Sequence, residues 1–172
     1  MVAVFTWSIP RRALVSRQRD VAGSEDLAQR EAQRLEWLLE EPLVLGLARL
    51  EPGAVVADIG AGPGVFTVPL AKAVAPRGKV YAVEIDKEFL DHIKRKTEEQ
   101  KITNAVLVLG KFTDPNLPAK DVDLAFFHDV LHHVEDRAGY LKSLAKYIKP
   151  SGRIAVVELD PVKGSHRDDP KL

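Results

Sequence analysis

The chain contains no cysteine among its 172 residues. Disulfides, thiolate metal sites and cysteine nucleophiles are excluded together. No charge sign prevails either, since 25 Lys and Arg balance 25 Asp and Glu. A general electrostatic pull toward nucleic acid or an anionic membrane surface is therefore unsupported. No apolar run reaches membrane-spanning length. Internal repeats and low-complexity segments are also missing. What remains is 45% hydrophobic and 29% charged, the composition of one soluble globular domain.

The most informative stretch is Val55–Thr67. A short apolar run ends at Asp58, and Gly60, Gly62 and Gly64 follow at every second position. Buried parallel strands read as continuous apolar runs. Glycines after such a strand permit a tight turn and close approach of a ligand to backbone. A helix beginning there presents free N–H groups at its first turn, which suit an anion. The dinucleotide fingerprint is Gly-x-Gly-x-x-Gly, and the spacing here departs from it.

Residues 1–23 fit nothing downstream, and an N-terminal arm, disordered or loosely packed, is expected. Four arginines and no acid in the first 19 residues also match the composition of a transit peptide. Ser24 can cap a helix to about Glu41, and Leu43–Leu50 reads as a second, short helix. Alternating elements then follow. Strands are expected at Ala54–Ile59, Lys79–Ile85, Asn104–Leu109, Asp121–Phe127 and Arg153–Leu159. Helices are expected from about Pro63 to Val74, Asp86 to Lys101 and Val134 to Ile148. Pro150-Ser151-Gly152 reads as a turn, and 161–172 as a polar tail. The domain is placed at 24–160. This alternation predicts an α/β fold, a Rossmann-like, doubly wound, mainly parallel sheet. Ligands bind such sheets at the carboxyl ends of the strands. Asp58, Glu84, Gly110, His128 and Asp129 all sit at those ends.

Asp58-x-Gly60-x-Gly62-x-Gly64 resembles motif I of the class I S-adenosylmethionine (SAM) dependent methyltransferases. Glu84, Leu131-His132-His133 and Lys149-Pro150-Ser151-Gly152 extend the resemblance in order and spacing, over roughly Leu43–Asp160. The pattern is most similar to the ubiquinone/menaquinone-biosynthesis methyltransferases. The resemblance implies SAM as cofactor, held by Asp58, Gly60, Ala61, Gly62, Gly64, Glu84, Ile85, Lys111, Phe112 and His128. Glu84 would accept hydrogen bonds from the ribose hydroxyls. Ile85 would pack on the adenine face, and the segment leaving the fourth of these strands would pass beneath the methionine part. Asp129 and His132 are the candidate catalytic residues, with His133 as a further acceptor contact. His128, Asp129, His132 and His133 also have the spacing to place two metal ligands on one helical face, but no metal site is assigned.

Two departures stand out. Lys111 occupies a position where the family commonly has an acid contacting adenine, and lysine cannot accept that bond. The family's C-terminal helix and antiparallel hairpin are also missing from this sequence. Arg153–Leu159 is then expected to be an exposed edge, open to dimerisation or aggregation. The reading is a cytoplasmic methyltransferase acting on a small molecule by in-line displacement. The alternative is a SAM-binding scaffold or partner subunit that is catalytically incomplete. An NAD-dependent oxidoreductase is disfavoured by the glycine spacing.

Overall fold

The computed structural model describes residues 4–7 and 50–158. The expected helix over 24–41, nearly all of the one over 43–50, and the tail over 161–172 lie outside the described residues. Hydrophobic alternation with a period of two builds the sheet. Ala57, Tyr81, Val83, Ala125 and Phe127 belong to one buried layer. Val56, Val80, Leu124 and Phe126 belong to the layer on the opposite face. Burying each large side chain contributes about 1.5–3 kcal/mol.

The elements in chain order are β1 (Val4–Trp7), β2 (Val55–Ile59), α1 (Thr67–Val74), β3 (Lys79–Glu84) and α2 (Lys87–Glu99), then β4 (Ala105–Leu109) and β5 (Val122–His128). A single 3-10 turn (Leu131–His133), α3 (Arg137–Leu144) and β6 (Ile148–Val157) complete the set. The six strands form one parallel sheet in the order β1-β6-β5-β2-β3-β4. Leu70, Ala71 and Val74 of α1 cover one face. Leu90 and Ile93 of α2 pack on Ala82 of that same face. Tyr140 and Leu144 of α3 cover the other. Strand order reverses between β2 and β5, which places the loop after β2 at the switch point.

Three expected boundaries moved. The helix after β2 starts at Thr67 rather than Pro63, because Gly62 and Gly64 have φ of 51° and 71°. Such angles do not fit a right-handed helix. The helix expected from Val134 instead begins at Arg137, where the Asp136 side chain accepts from the Gly139 amide at 2.9 Å. That is an N-cap bond of ordinary type. The Pro150-Ser151-Gly152 segment falls inside β6 as an irregularity: Val122 pairs with Ile148, but Leu124 already pairs with Arg153.

Residues 4–7, expected within a loose arm, form β1. It runs parallel to β6, with Val4 opposite Ile154 and Trp7 opposite Val157. The edge of β6 expected to be open is thus occupied by the chain's own backbone.

Candidate active site

The loop 60–66 opens the site. Gly60 has φ of 68°, and a Cβ there would collide with Val130 Cγ2. Gly62 has φ of 51°, but nothing among the described residues lies within 4 Å of where its Cβ would be. One glycine is required by packing, whereas the other leaves open space over its backbone. Gly64 accepts from Lys96 Nζ at its carbonyl, 2.9 Å away, and Ala61 is buried against α2.

Beneath this loop lies Asp58, 3% exposed. Its Oδ2 accepts from Thr67 Oγ1 at 2.7 Å, tying the end of β2 to the start of α1. Burial pushes its pKa up from 3.8 to about 7, against the lowering effect of the Thr67 bond, with the nearby Glu84 charge adding to the rise. Asp58 therefore supports the loop from below and does not line the cavity above it.

Glu84 is the convergence point. Oε2 accepts from the Gly62 amide at 2.8 Å, and Oε1 accepts from the amides of Ile85 at 2.7 Å and Asp86 at 3.2 Å. The carboxylate bonds to charged-acceptor strength on both sides. It forms one wall of a cavity of about 350 Å³ at the carboxyl ends of the strands. Gly60, Ile85, Gly110, Lys111 and Phe112 line that cavity with Phe127, Val130, His133, Val134 and Tyr140. Ile85 and Phe112 are 46% and 78% exposed, so an apolar planar ligand would find two uncovered side chains there.

The segment after β4 is held in place by Asp114. Its carboxylate accepts from the Ser143 hydroxyl, and from the Tyr147 hydroxyl at 2.9 Å. Tyr140, on the same helix as Ser143, is buried at the cavity wall. Desolvation, with the charges of Asp114 and Glu84, raises its phenol well above the ordinary value, so it stays protonated.

His128, Asp129 and His132 do not line the cavity. The His128 ring lies against Phe66, with centroids 4.4 Å apart. Burial lowers its pKa from 6.5 to about 4, despite the opposing Asp129 charge. His132 Nδ1 is 2.6 Å from Glu158 Oε2 and 3.9 Å from Asp129 Oδ1. Of the sequence-stretch Leu131-His132-His133, only His133 reaches the cavity. Sequence reasoning missed Val130, Tyr140 and Glu158. Val130 follows from no local signal, because its role is set by Gly60 across the switch point. Glu158 was read only as the end of a core strand.

Comparison with known proteins decides the family. Residues 57–156 match the methyltransferase domain family. The chain belongs to that family. Its sheet is the class I SAM-dependent methyltransferase sheet. An uncharacterized methyltransferase of Schizosaccharomyces pombe is 35% identical over 111 residues, covering 61% of this chain and 40% of the relative. A demethylmenaquinone methyltransferase of Geobacillus is 28% identical over 109 residues, covering 63% and 47%. Among solved structures, a SAM-dependent methyltransferase of Aquifex aeolicus aligns with a TM-score of 0.65 and 26% identity, over 68% of this chain and 62% of that one. The fold is also shared, at 15% identity and a TM-score of 0.60, with the [4+2]-cyclase SpnF, over 67% of this chain and 42% of that one. The chain spans about half the length of the curated relatives it matches.

The methyltransferase residues fit the cofactor. Gly62 leaves open space over its backbone. Glu84 offers a carboxylate at the end of β3, where two hydroxyls of a ribose can donate. The exposed apolar pair Ile85 and Phe112 stands beside it in one cavity. Lys111 is exposed and lines the same cavity, which leaves backbone groups near it and Phe112 to meet an adenine edge.

Proposed function

We propose that this methyltransferase domain binds SAM in the cavity beside Glu84 and passes the methyl group to a small-molecule acceptor. The observation that carries the proposal is the convergence of the glycine loop and Glu84 on one cavity at the switch point. SAM supplies an electrophilic methyl on a sulfonium, whose leaving group needs no protonation. The chain's contribution is alignment and exclusion of water, and such positioning is worth on the order of 7–11 kcal/mol. Glu84 orients the ribose, and Ile85 and Phe112 cover the base. A proton acceptor is needed where the methylated atom is an oxygen or nitrogen. His133 lines the cavity, whereas Asp129 and His132, the catalytic residues proposed from the sequence, stand beside it and act there only through an intervening group. Demethylmenaquinone methyltransferase relatives favour a quinol-like or phenolic acceptor. The cytoplasmic setting expected from the sequence belongs to the same proposal. No described helix is long and apolar enough to cross a membrane.

Binding without turnover is the second reading. It is favoured by the candidate catalytic residues Asp129 and His132 standing outside the lining of the cavity. Calorimetric titration with S-adenosylhomocysteine (SAH), beside NAD, tests the cavity. Transfer of labelled methyl from SAM to a panel of phenols and quinols tests the chemistry. Binding of SAH with transfer is the expected result. Preference for NAD overturns the first reading, and SAH binding without transfer selects the second.

A further inference from the structure

Two neighbouring strands bring three ligating side chains together beside the cavity. Asp129 leaves β5 with φ of 51°, a left-handed conformation that aspartate adopts more readily than most residues. Its side chain is only 8% exposed. Oδ1 is buried without a hydrogen-bond partner among the described residues and lies 3.9 Å from His132 Nδ1. Glu158, just past β6, brings Oε2 to 2.6 Å from that same nitrogen, while Oε1 accepts from the Leu131 amide at 2.7 Å. The three ligating atoms lie within 4.8 Å of one another.

A buried carboxylate oxygen with no donor is unfavourable, and such a group calls for an unseen partner. A proton between His132 and Glu158 satisfies those two residues but leaves Asp129 Oδ1 unmatched. A cation meets all three. We propose that Asp129, His132 and Glu158 form a divalent transition-metal site. One imidazole and two carboxylates suit Zn²⁺, Co²⁺ or Mn²⁺ better than the all-oxygen preference of Ca²⁺ or Mg²⁺. Metal–ligand bonds near 2.0–2.2 Å place adjacent donors about 3 Å apart. The observed separations of 2.6 and 3.9 Å bracket that spacing, so small side-chain rotations suffice. Ligation through Nδ1 uses the neutral tautomer of His132 whose ring proton sits on Nε2, so no proton need be lost from the imidazole. Leu131 N–H already orients Glu158 from outside, the kind of support that metal ligands use.

The site adjoins the cavity, because Val130, which precedes the 3-10 turn, and His133, which ends it, line it. Resting on the methyl-transfer reading, the ion's open position takes an oxygen of the acceptor and favours its ionised form. Metal binding itself needs no SAM, so failure of the site and failure of that reading are separable.

The test is titration of the full tag-free chain with Co²⁺, followed by its visible absorption. Saturation at one Co²⁺ per chain is expected. Asp129→Asn and Glu158→Gln should each weaken binding by about tenfold or more, with far-UV circular dichroism unchanged. Should either variant fail to fold, pulsed electron paramagnetic resonance of the Mn²⁺-loaded wild type gives the answer, with coupling to one imidazole nitrogen expected. Saturation well below one ion per chain, wild-type affinity in both variants, or Mn²⁺ without nitrogen coupling overturns the site.

Discussion

Glu84 Oε2 and the Gly62 amide are 2.8 Å apart, so the acid ending β3 and the middle glycine of the loop hold each other. The same carboxylate takes the amides of Ile85 and Asp86 on its other oxygen. Glu84→Ala should therefore weaken SAH binding by roughly 1.5–3 kcal/mol, about ten- to a hundred-fold. It should also free the Gly62 amide. Calorimetry reads the first effect and hydrogen exchange of the loop the second. Wild-type affinity in Glu84→Ala would remove this residue from the site.

Gly60 and Gly62 should respond differently to the same substitution. Both are left-handed, which costs about 1–2 kcal/mol in a residue with a Cβ. Gly60→Ala adds a collision with Val130, whereas Gly62→Ala meets open space. Gly60→Ala should then lower the melting temperature markedly. Gly62→Ala should melt closer to wild type yet lose most SAH affinity, and Gly62→Val nearly all of it. Equal melting losses for the two alanine variants would contradict this assignment.

Asp58 and His128 should give opposing pH dependences. An acid raised from 3.8 to about 7 on folding contributes stability that is complete below its unfolded value and lost as pH rises toward 7. A histidine lowered from 6.5 to about 4 contributes stability that is complete above 6.5 and lost as pH falls toward 4. Between pH 4 and 6.5 the two slopes oppose each other. Asp58→Asn, which keeps an acceptor for Thr67, should make stability climb more steeply with pH than in wild type. His128→Gln should make it fall more steeply. Thermal unfolding from pH 4 to 8 decides it, and three parallel curves would refute both assignments.

The edge of β6 gives a prediction about association. β1 covers it along Ile154–Val157. Removing residues 1–7 should bare unpaired N–H and C=O groups and cause concentration-dependent self-association. Light scattering should find the shortened chain larger than the intact one at equal concentration. A shortened chain that stays monomeric would show that this edge is protected by something else.

The site was legible where its residues carry their meaning locally. Asp58, the three glycines and Glu84 stand at strand ends, and each follows an apolar run whose period reveals the strand. Contacts between distant segments were not legible. Nothing near Val130 announces that it packs on Gly60, and nothing near Glu158 announces His132. The start of α3 was misplaced at Val134, although Asp136, two residues further on, was the true cap. β1 has only four residues, too short to show a period, and its partner lies at the far end of the sequence.

That last pairing also sets an order in time. Val4 leaves the ribosome well before Ile154, its partner across the sheet. The β2–β3–β4 half of the sheet can assemble while synthesis continues, since its strands are sequence neighbours. β1 must wait for β5 and then β6 to arrive before it has a place to dock. Such long-range closure slows folding, because a large loop is ordered before the contact that rewards it. Until then both β1 and the flank it will cover remain in search of a partner, so the sheet is vulnerable in the interval before β6 is made and paired.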